Sequence, residues 1–137
     1  MIARAVMTVM PSKRILVVDD DEAIRHLVEA VLKREHYDVD TADGGSDAIS
    51  KMELTQYDVV VLDLMMPGVS GLEVLKRLPI RDPQIKCVVI MSAASTLSIA
   101  ESTTANVFAI LPKPFDIKAL IRVVRACIEA VPVPIAA

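Results

Sequence analysis

The sequence predicts an α/β fold in which five parallel strands are covered by helices on both faces. Short apolar runs rich in β-branched residues alternate five times with segments of helical periodicity. The third run, Val59–Leu62, is apolar without interruption, as is typical of a strand buried on both faces of a parallel sheet. Strands and helices that alternate in this way are joined by right-handed crossovers.

The predicted elements follow one another regularly as strand and helix. The predicted strands are Arg14–Val18, Tyr37–Ala42, Tyr57–Leu62, Cys87–Met91 and Phe108–Leu111. The predicted helices cover residues 22–35, 44–52, 72–78, 95–104 and 117–131.

The first two helices are indicated by apolar spacing and by the residues that precede them. From Ile24 to Leu32, apolar residues recur every three or four positions. Asp21 comes just before this segment and is expected to cap it, because an aspartate side chain accepts hydrogen bonds from first-turn amides. Gly44 and Gly45 mark the turn that opens the second helix.

The last three helices differ in how clearly the sequence marks them. Ser70 followed by Glu73 fits a capping box at the start of the third helix. The fourth, Ser95–Thr104, is rich in Ser, Thr and Ala and has the weakest pattern. Asp116 is expected to cap the fifth, which is followed by Pro132.

The composition predicts one globular domain with an aliphatic core. The sequence has 137 residues, of which 53% are hydrophobic, and its mean hydropathy is +0.48, so disorder of the whole chain is excluded. We expect an N-terminal tail over residues 1–12, one domain over 13–131 and a C-terminal tail over 132–137.

The same composition argues against two classes of partner. A net charge of −3 and an aromatic content of 3% are unfavourable for direct nucleic-acid binding. The apolar runs are strand-sized, far below the roughly 20 residues of a membrane span. Cys87 and Cys127 lack metal-site spacing, so we expect reduced thiols and a cytoplasmic location.

Polar residues occur where four of the predicted strands end. Asp19–Asp21 follow the first strand, Asp63 the third, Ser92 the fourth and Lys113 the fifth. Because parallel α/β sheets form their sites beyond the carboxyl ends of the strands, we expect these side chains to converge on one pocket.

The residue types in this pocket suit phosphoryl transfer assisted by magnesium. Carboxylates that are close together repel one another, and hard oxygen ligands favour Mg²⁺, so Asp19, Asp20 and Asp63 form a candidate magnesium site. Asp63 is the natural acceptor, because a carboxylate can itself take up a phosphoryl group. Lys113 supplies a positive charge and Ser92 a hydroxyl donor.

These segments together resemble the receiver domain of two-component response regulators. The resemblance rests on the Asp19-Asp20 pair, the segment YDVVVLDLMMPGVSG around Asp63, the strand that ends at Ser92 and the segment LPKPF around Lys113. It covers about residues 13–131. It implies a flavodoxin-like (βα)5 fold, a three-layer sandwich.

The resemblance also implies a role for each site residue. Asp63 is the phosphoacceptor, Asp19 and Asp20 are acidic residues of the Mg²⁺ site, and Met65 contributes its backbone carbonyl to the metal. Ser92 is the switch hydroxyl, and Lys113 is the lysine that pairs with the phosphoryl group.

The function implied is that of a signalling switch rather than a metabolic enzyme. A sensor histidine kinase or histidine phosphotransfer protein donates the phosphoryl group, which is then slowly lost by hydrolysis. Phosphorylation biases a face made of the fourth helix, fifth strand and fifth helix, which binds a downstream protein. The chain is expected to be a monomer or a phosphorylation-dependent dimer.

Other functions are kept as alternatives. A phosphorylation-independent scaffold of the same fold is one, because Ile110 stands where the family usually has an aromatic residue. An aspartate-nucleophile phosphatase would have a general acid two residues after the nucleophile, where this sequence has Met65. A flavin site would need a Ser/Thr/Gly-rich phosphate loop after the first strand, which is lacking.

Overall fold

The computed structural model describes residues 12–68, 71, 73–76, 87–92 and 107–130. Its strands are β1 (Arg14–Val18), β2 (Asp38–Ala42), β3 (Val59–Asp63), β4 (Cys87–Ser92) and β5 (Val107–Pro112). Its helices are α1 (Glu22–Arg34), α2 (Gly45–Leu54) and α3 (Ile117–Ala130). Residues 71 and 73–76 are also helical. Residues 73–76 lie within the predicted third helix, and residue 71 lies one position before its predicted start. The predicted helix 95–104, the tail 132–137 and residues 1–11 lie outside the described residues.

The five strands form one parallel sheet in the order β2-β1-β3-β4-β5. The chain therefore leaves β1 towards the β2 edge and returns on the other side of β1 as β3. This order confirms the predicted parallel α/β sheet and is the order of flavodoxin-like folds. All five predicted strands are present, and the observed bounds differ from the predicted ones by at most two residues.

Helices pack on both faces of the sheet, so the fold has three layers. Alternate strand residues point to opposite faces, and the core accordingly divides into two clusters. On one face, α1 and α3 contribute Val28, Leu32, Leu120 and Val124. On the other face, the buried helical residues are Ala48, Val74 and Leu75. Burial on both faces explains why the strands read as continuous apolar runs.

Helix α1 begins and ends with ordered hydrogen bonds. The Asp21 side chain accepts a hydrogen bond from the Ile24 amide at 3.2 Å, which confirms the predicted cap. At the other end, His36 has a φ of 70°, and its amide donates to the Lys33 carbonyl at 3.0 Å. This left-handed residue stops the helix and turns the chain towards β2.

The prediction of reduced thiols is wrong for Cys127. This residue is fully buried in α3 and is disulfide-bonded. Spacing along the sequence reveals only cysteines that are neighbours in the chain, whereas the fold determines which distant cysteines meet.

In the part of the chain that the structure describes, no helix combines the length and apolar character needed to cross a membrane.

Candidate functional site

The candidate site lies at the carboxyl ends of the central strands. Strand β1 stands between β2 and β3, so the connections that leave β1 and β3 run to different sides of the sheet and open a crevice between them. Asp19 and Asp20 follow β1, and Asp63 is the last residue of β3. The topology thus brings together acidic residues that are more than forty positions apart in the sequence.

Asp19 is fully buried, and both of its carboxylate oxygens accept hydrogen bonds. Its Oδ1 accepts from the Asp21 amide at 2.9 Å, and its Oδ2 accepts from Lys113 Nζ at 2.8 Å. The Asp19 amide extends the sheet by donating to the Ala42 carbonyl at 3.2 Å. These contacts fix the loop between β1 and α1 from both the strand and the lysine.

Asp63 is the second buried carboxylate, with only 3% of its surface exposed. Its Oδ1 accepts a hydrogen bond from the Met65 amide at 3.0 Å, and its Oδ2 accepts one from Lys113 Nζ at 3.2 Å. Lys113 therefore bridges Asp19 and Asp63. A buried acid at the end of an apolar strand is retained at a cost in stability, which indicates a functional group.

The charges of this group shift the pKa values of two members. Burial raises the pKa of Asp63, and this effect outweighs the opposing influence of the Met65 amide and Lys113. Burial alone would lower the pKa of Lys113, but hydrogen bonds and charges from Asp19 and Asp63 raise it above its ordinary value. At neutral pH, Lys113 is therefore held as a cation against the carboxylates.

Asp20 completes an acidic group that fits a divalent cation. One carboxylate oxygen from each of Asp19, Asp20 and Asp63 lies within 4.8 Å of the others, and Asp20 is exposed to solvent. Lys113 is the one cation that contacts these carboxylates among the described residues. Three oxygen donors with excess negative charge and one open side match the preference of Mg²⁺, which keeps several of its waters.

Ser92 and Met65 lie at the borders of the site. Ser92 is the last residue of β4, fully buried, and its carbonyl accepts a hydrogen bond from the Lys113 amide at 3.1 Å. Met65 turns its amide towards Asp63, while 62% of its surface is exposed. All of the residues predicted for the site are thus found at the same edge of the sheet.

Two further residues near the site were not predicted from the sequence. A Cβ added to Gly71 would lie 2.0 Å from the Asp63 carbonyl oxygen, so the chain approaches the end of β3 there as only glycine permits. Arg25 Nη1 donates a hydrogen bond to the Asp19 carbonyl at 3.0 Å. In the sequence, Gly71 stands in a turn-rich segment with Gly68, and Arg25 lies on the polar side of the first helical segment. Neither pattern predicts a contact with Asp19 or Asp63.

A comparison with protein-family models matches residues 15–125 to the response regulator receiver domain. Among curated relatives, the transcriptional regulatory protein ResD of Bacillus subtilis is 34% identical over 117 residues, which cover 85% of this chain and 48% of that protein. The chain spans about half the length of the curated relatives it matches.

Solved receiver structures superimpose on the fold. The receiver domain of Francisella response regulator 1452 has a TM-score of 0.75 and 32% identity, covering 86% of this chain and 98% of that one. The Thermotoga maritima response regulator TrrA, solved in complex with Mg²⁺-BeF, has a TM-score of 0.72 and 36% identity, covering 84% and 98%. With the family match spanning most of its residues, the chain belongs to the receiver domain family of two-component response regulators.

Proposed function

We propose that Asp63 is the residue of this receiver domain that accepts a phosphoryl group. The observation that carries the proposal is the burial of the Asp63 carboxylate in direct contact with the Lys113 ammonium, within a group of three acids. This environment supplies both a nucleophilic oxygen and a positive charge for the transferred group.

The proposed step is the transfer of a phosphoryl group from a phosphohistidine of a partner protein. A carboxylate oxygen of Asp63 forms a bond to phosphorus, the N–P bond of the donor breaks, and the electron pair stays on the histidine nitrogen, which then takes a proton. When bound, Mg²⁺ would neutralise charge on the phosphoryl oxygens. The carboxylates of Asp19, Asp20 and Asp63 and the backbone carbonyl of Met65 would hold the ion.

Lys113 and Ser92 have separate roles in the proposal. The Lys113 ammonium moves from the Asp63 carboxylate to the new phosphoryl oxygens, since a more negative group forms the stronger charge-assisted hydrogen bond. The Ser92 hydroxyl donates to the same oxygens. Ser92 is the last residue of β4 and Lys113 directly follows β5, so their movement would carry the signal to the β4–β5 side of the sheet.

A scaffold that does not depend on phosphorylation is not favoured. It would need no buried acid–lysine contact, whereas Asp19 and Asp63 are both buried and both contact Lys113. Ile110, which motivated that alternative, is half-buried and packs against the core cluster of Leu75 and Ile90. An aspartyl phosphatase is disfavoured by the apolar Met65 at the position of its general acid. We therefore propose slow self-dephosphorylation and no turnover of free substrates.

The partners follow from the family. Receiver domains interact with histidine kinases and with downstream effectors, and we propose a sensor histidine kinase or a histidine phosphotransfer protein as the donor. Two matched relatives are named as transcriptional regulatory proteins. We therefore limit the prediction of no direct nucleic-acid binding to the receiver domain itself. For the domain over residues 13–131 we propose a protein target, and either a monomer or a phosphorylation-dependent dimer.

A cytoplasmic location is proposed from the family alone. Response regulators generally receive their signal in that compartment. The disulfide at Cys127 is unusual there, because cytosolic thiols are kept reduced.

Beryllofluoride, which mimics an aspartyl phosphoryl group, gives a test of the site. We expect amide NMR signals around Asp63, Ser92 and Lys113 to shift when beryllofluoride and Mg²⁺ are added together. We expect no such shifts with beryllofluoride alone or in Asp63→Asn, which keeps the size of the side chain but removes its charge. Asp47→Asn, at a partly exposed acid of α2, is the matched control and should respond as wild type does.

Two outcomes would contradict the proposal. One is a wild-type protein whose spectrum is unchanged by beryllofluoride with Mg²⁺. The other is an Asp63→Asn variant that still responds, since the adduct would then form at another residue.

A further inference from the structure

The main-chain carbonyl of Asp19 is held by a side chain rather than by a strand. Strand β2 ends at Ala42, whose own carbonyl accepts the Asp19 amide. The Asp19 carbonyl therefore lies beyond the end of the β1–β2 ladder, at a residue that is fully buried. Arg25 Nη1 donates to it at 3.0 Å. A buried carbonyl needs such a donor, because leaving it without a hydrogen bond is unfavourable.

This contact fixes the peptide group that leads into Asp20. The peptide group is planar, so holding the Asp19 carbonyl oxygen sets the plane from which the Asp20 Cα projects. On the other side of Asp20, the Asp21 amide donates to Asp19 Oδ1 at 2.9 Å. Asp20 is thus held between two fixed peptide groups.

The Asp20 carboxylate depends on this backbone for its position. In the described ranges, no hydrogen bond to the Asp20 side chain is found, yet one of its oxygens lies within 4.8 Å of oxygens of Asp19 and Asp63. Asp19 and Asp63 are buried and each is held by Lys113. Asp20 is the exposed member of the group and the one whose approach to the other two rests on the main chain.

We propose that Arg25 is a positioning residue for the magnesium site, holding the Asp19–Asp20 peptide so that the Asp20 carboxylate is ready to bind the ion. The inference rests on the magnesium role proposed above. The Arg25 amide also donates a hydrogen bond to the Asp21 carbonyl at 2.9 Å, in the first turn of α1. Arg25 thereby links α1 to the loop that would bind the metal.

The sign of the effect separates positioning from simple charge. A guanidinium close to an acidic site opposes a cation by Coulomb repulsion, so removing its charge would by itself strengthen Mg²⁺ binding. Removing a group that orients metal ligands weakens binding, typically by about 10- to 100-fold. We expect the second effect to dominate, because Arg25 is partly exposed and its charge is screened by solvent.

The test is a titration with Mg²⁺ alone, followed by the amide NMR signals of Asp20 and Asp21. Arg25→Met keeps an unbranched side chain and removes the charge and the donors. We expect the Mg²⁺ dissociation constant to rise at least about tenfold in this variant. Arg25→Lys restores a charge and a donor without the fork of the guanidinium, and should fall between Arg25→Met and wild type. Arg34→Met, in the exposed last turn of the same helix, should bind as wild type does.

Urea unfolding of each variant distinguishes a local effect from a loss of structure. An Arg25→Met protein that is folded and binds Mg²⁺ as tightly as wild type, or more tightly, overturns the inference. If Arg25→Met is unfolded, Arg25→Lys is the variant that tests the inference. Mg²⁺ affinity equal to that of wild type in Arg25→Lys overturns the inference, and weaker Mg²⁺ affinity supports it. A wild-type chain with no Mg²⁺ binding overturns the magnesium role itself and with it the role of Arg25, a result distinct from that of any variant.

Discussion

Asp63 combines the chemistry of the site with a cost in stability. Burial raises its pKa, so the folded chain holds the proton at pH values where the unfolded carboxyl, with an ordinary pKa of 3.8, has already lost it. Unfolding then releases a proton, and stability falls as the pH rises through this window. The ionised form of Asp63 is therefore less favourable in the folded state than in the unfolded chain.

We expect Asp63→Asn to be more stable than wild type at pH 7 in the absence of Mg²⁺. The amide removes a buried charge and its repulsion by Asp19, while Lys113 keeps its contact with Asp19. The measurement is the midpoint of urea unfolding, which should rise. Asp47→Asn, which removes one partner of a partly exposed pair with Lys51, should change the free energy of unfolding by less than about 1 kcal/mol. A lower midpoint for Asp63→Asn would refute this explanation.

Tyr57 provides a pH-dependent contribution at the opposite end of the sheet. Its hydroxyl donates to Asp40 Oδ2 at 2.7 Å, and only 2% of the residue is exposed. Burial, followed by the hydrogen bond and charge of Asp40, raises the pKa of Tyr57 well above its ordinary 10.0. The unfolded chain therefore loses this proton first, and stability falls as the pH rises above about 10.

Tyr57→Phe should abolish this part of the pH dependence. At pH 7 the variant should lose about 1 kcal/mol, the net value of one hydrogen bond. Between pH 9 and about 11, urea unfolding should show a steeper loss of stability in wild type than in the variant. Parallel curves for the two proteins would mean that Tyr57 ionises equally in both states.

Among the elements, the segment after β3 depends most closely on one residue type. Gly71 is the first helical residue after β3 among those that the structure describes, and a Cβ there would also come within 2.7 Å of the Leu64 Cα. The close atoms all belong to the backbone of Asp63 and Leu64, so a larger residue can be accommodated at position 71 only if that backbone moves.

Gly71→Ala should therefore disturb both stability and the site. We expect a loss of about 1–3 kcal/mol in the free energy of unfolding, as for overpacked interiors. Labelling of Asp63 by acetyl phosphate should slow by about tenfold or more, because small displacements of reacting groups reduce rates strongly. The matched control is Gly44→Ala, since nothing lies within 4 Å of the added Cβ; it should label as wild type does. Equal labelling by both variants would show that the approach at Gly71 does not position Asp63.

The elements were predictable from the sequence because their signals are local. The apolar run before Asp19 predicts β1, and an aspartate at position 21, just before the helical pattern, predicts the capping hydrogen bond that is observed. The site could be located because the polar residues at the ends of parallel strands meet at one edge. The contact of Arg25 with Asp19, the approach of Gly71 to Asp63 and the disulfide at Cys127 depend on tertiary packing, for which the sequence carries no periodic signal.

At the scale of the whole molecule, the site exists only when the sheet is assembled. Lys113 is separated by 94 residues from Asp19 and by 50 from Asp63, yet its Nζ lies 2.8 and 3.2 Å from their oxygens. The order β2-β1-β3-β4-β5 brings these strand ends together. Magnesium, which requires the assembled carboxylates, should therefore bind the folded chain preferentially and stabilise it.

The role of Asp63 as phosphoryl acceptor is tested by the intact mass of the chain after incubation with acetyl phosphate, followed by mapping of the modified residue. We expect wild type to gain the mass of one phosphoryl group, on Asp63, when Mg²⁺ is present, and Asp63→Asn to gain none. An unmodified wild type in the presence of Mg²⁺, or a phosphoryl group carried by any residue other than Asp63, would contradict it.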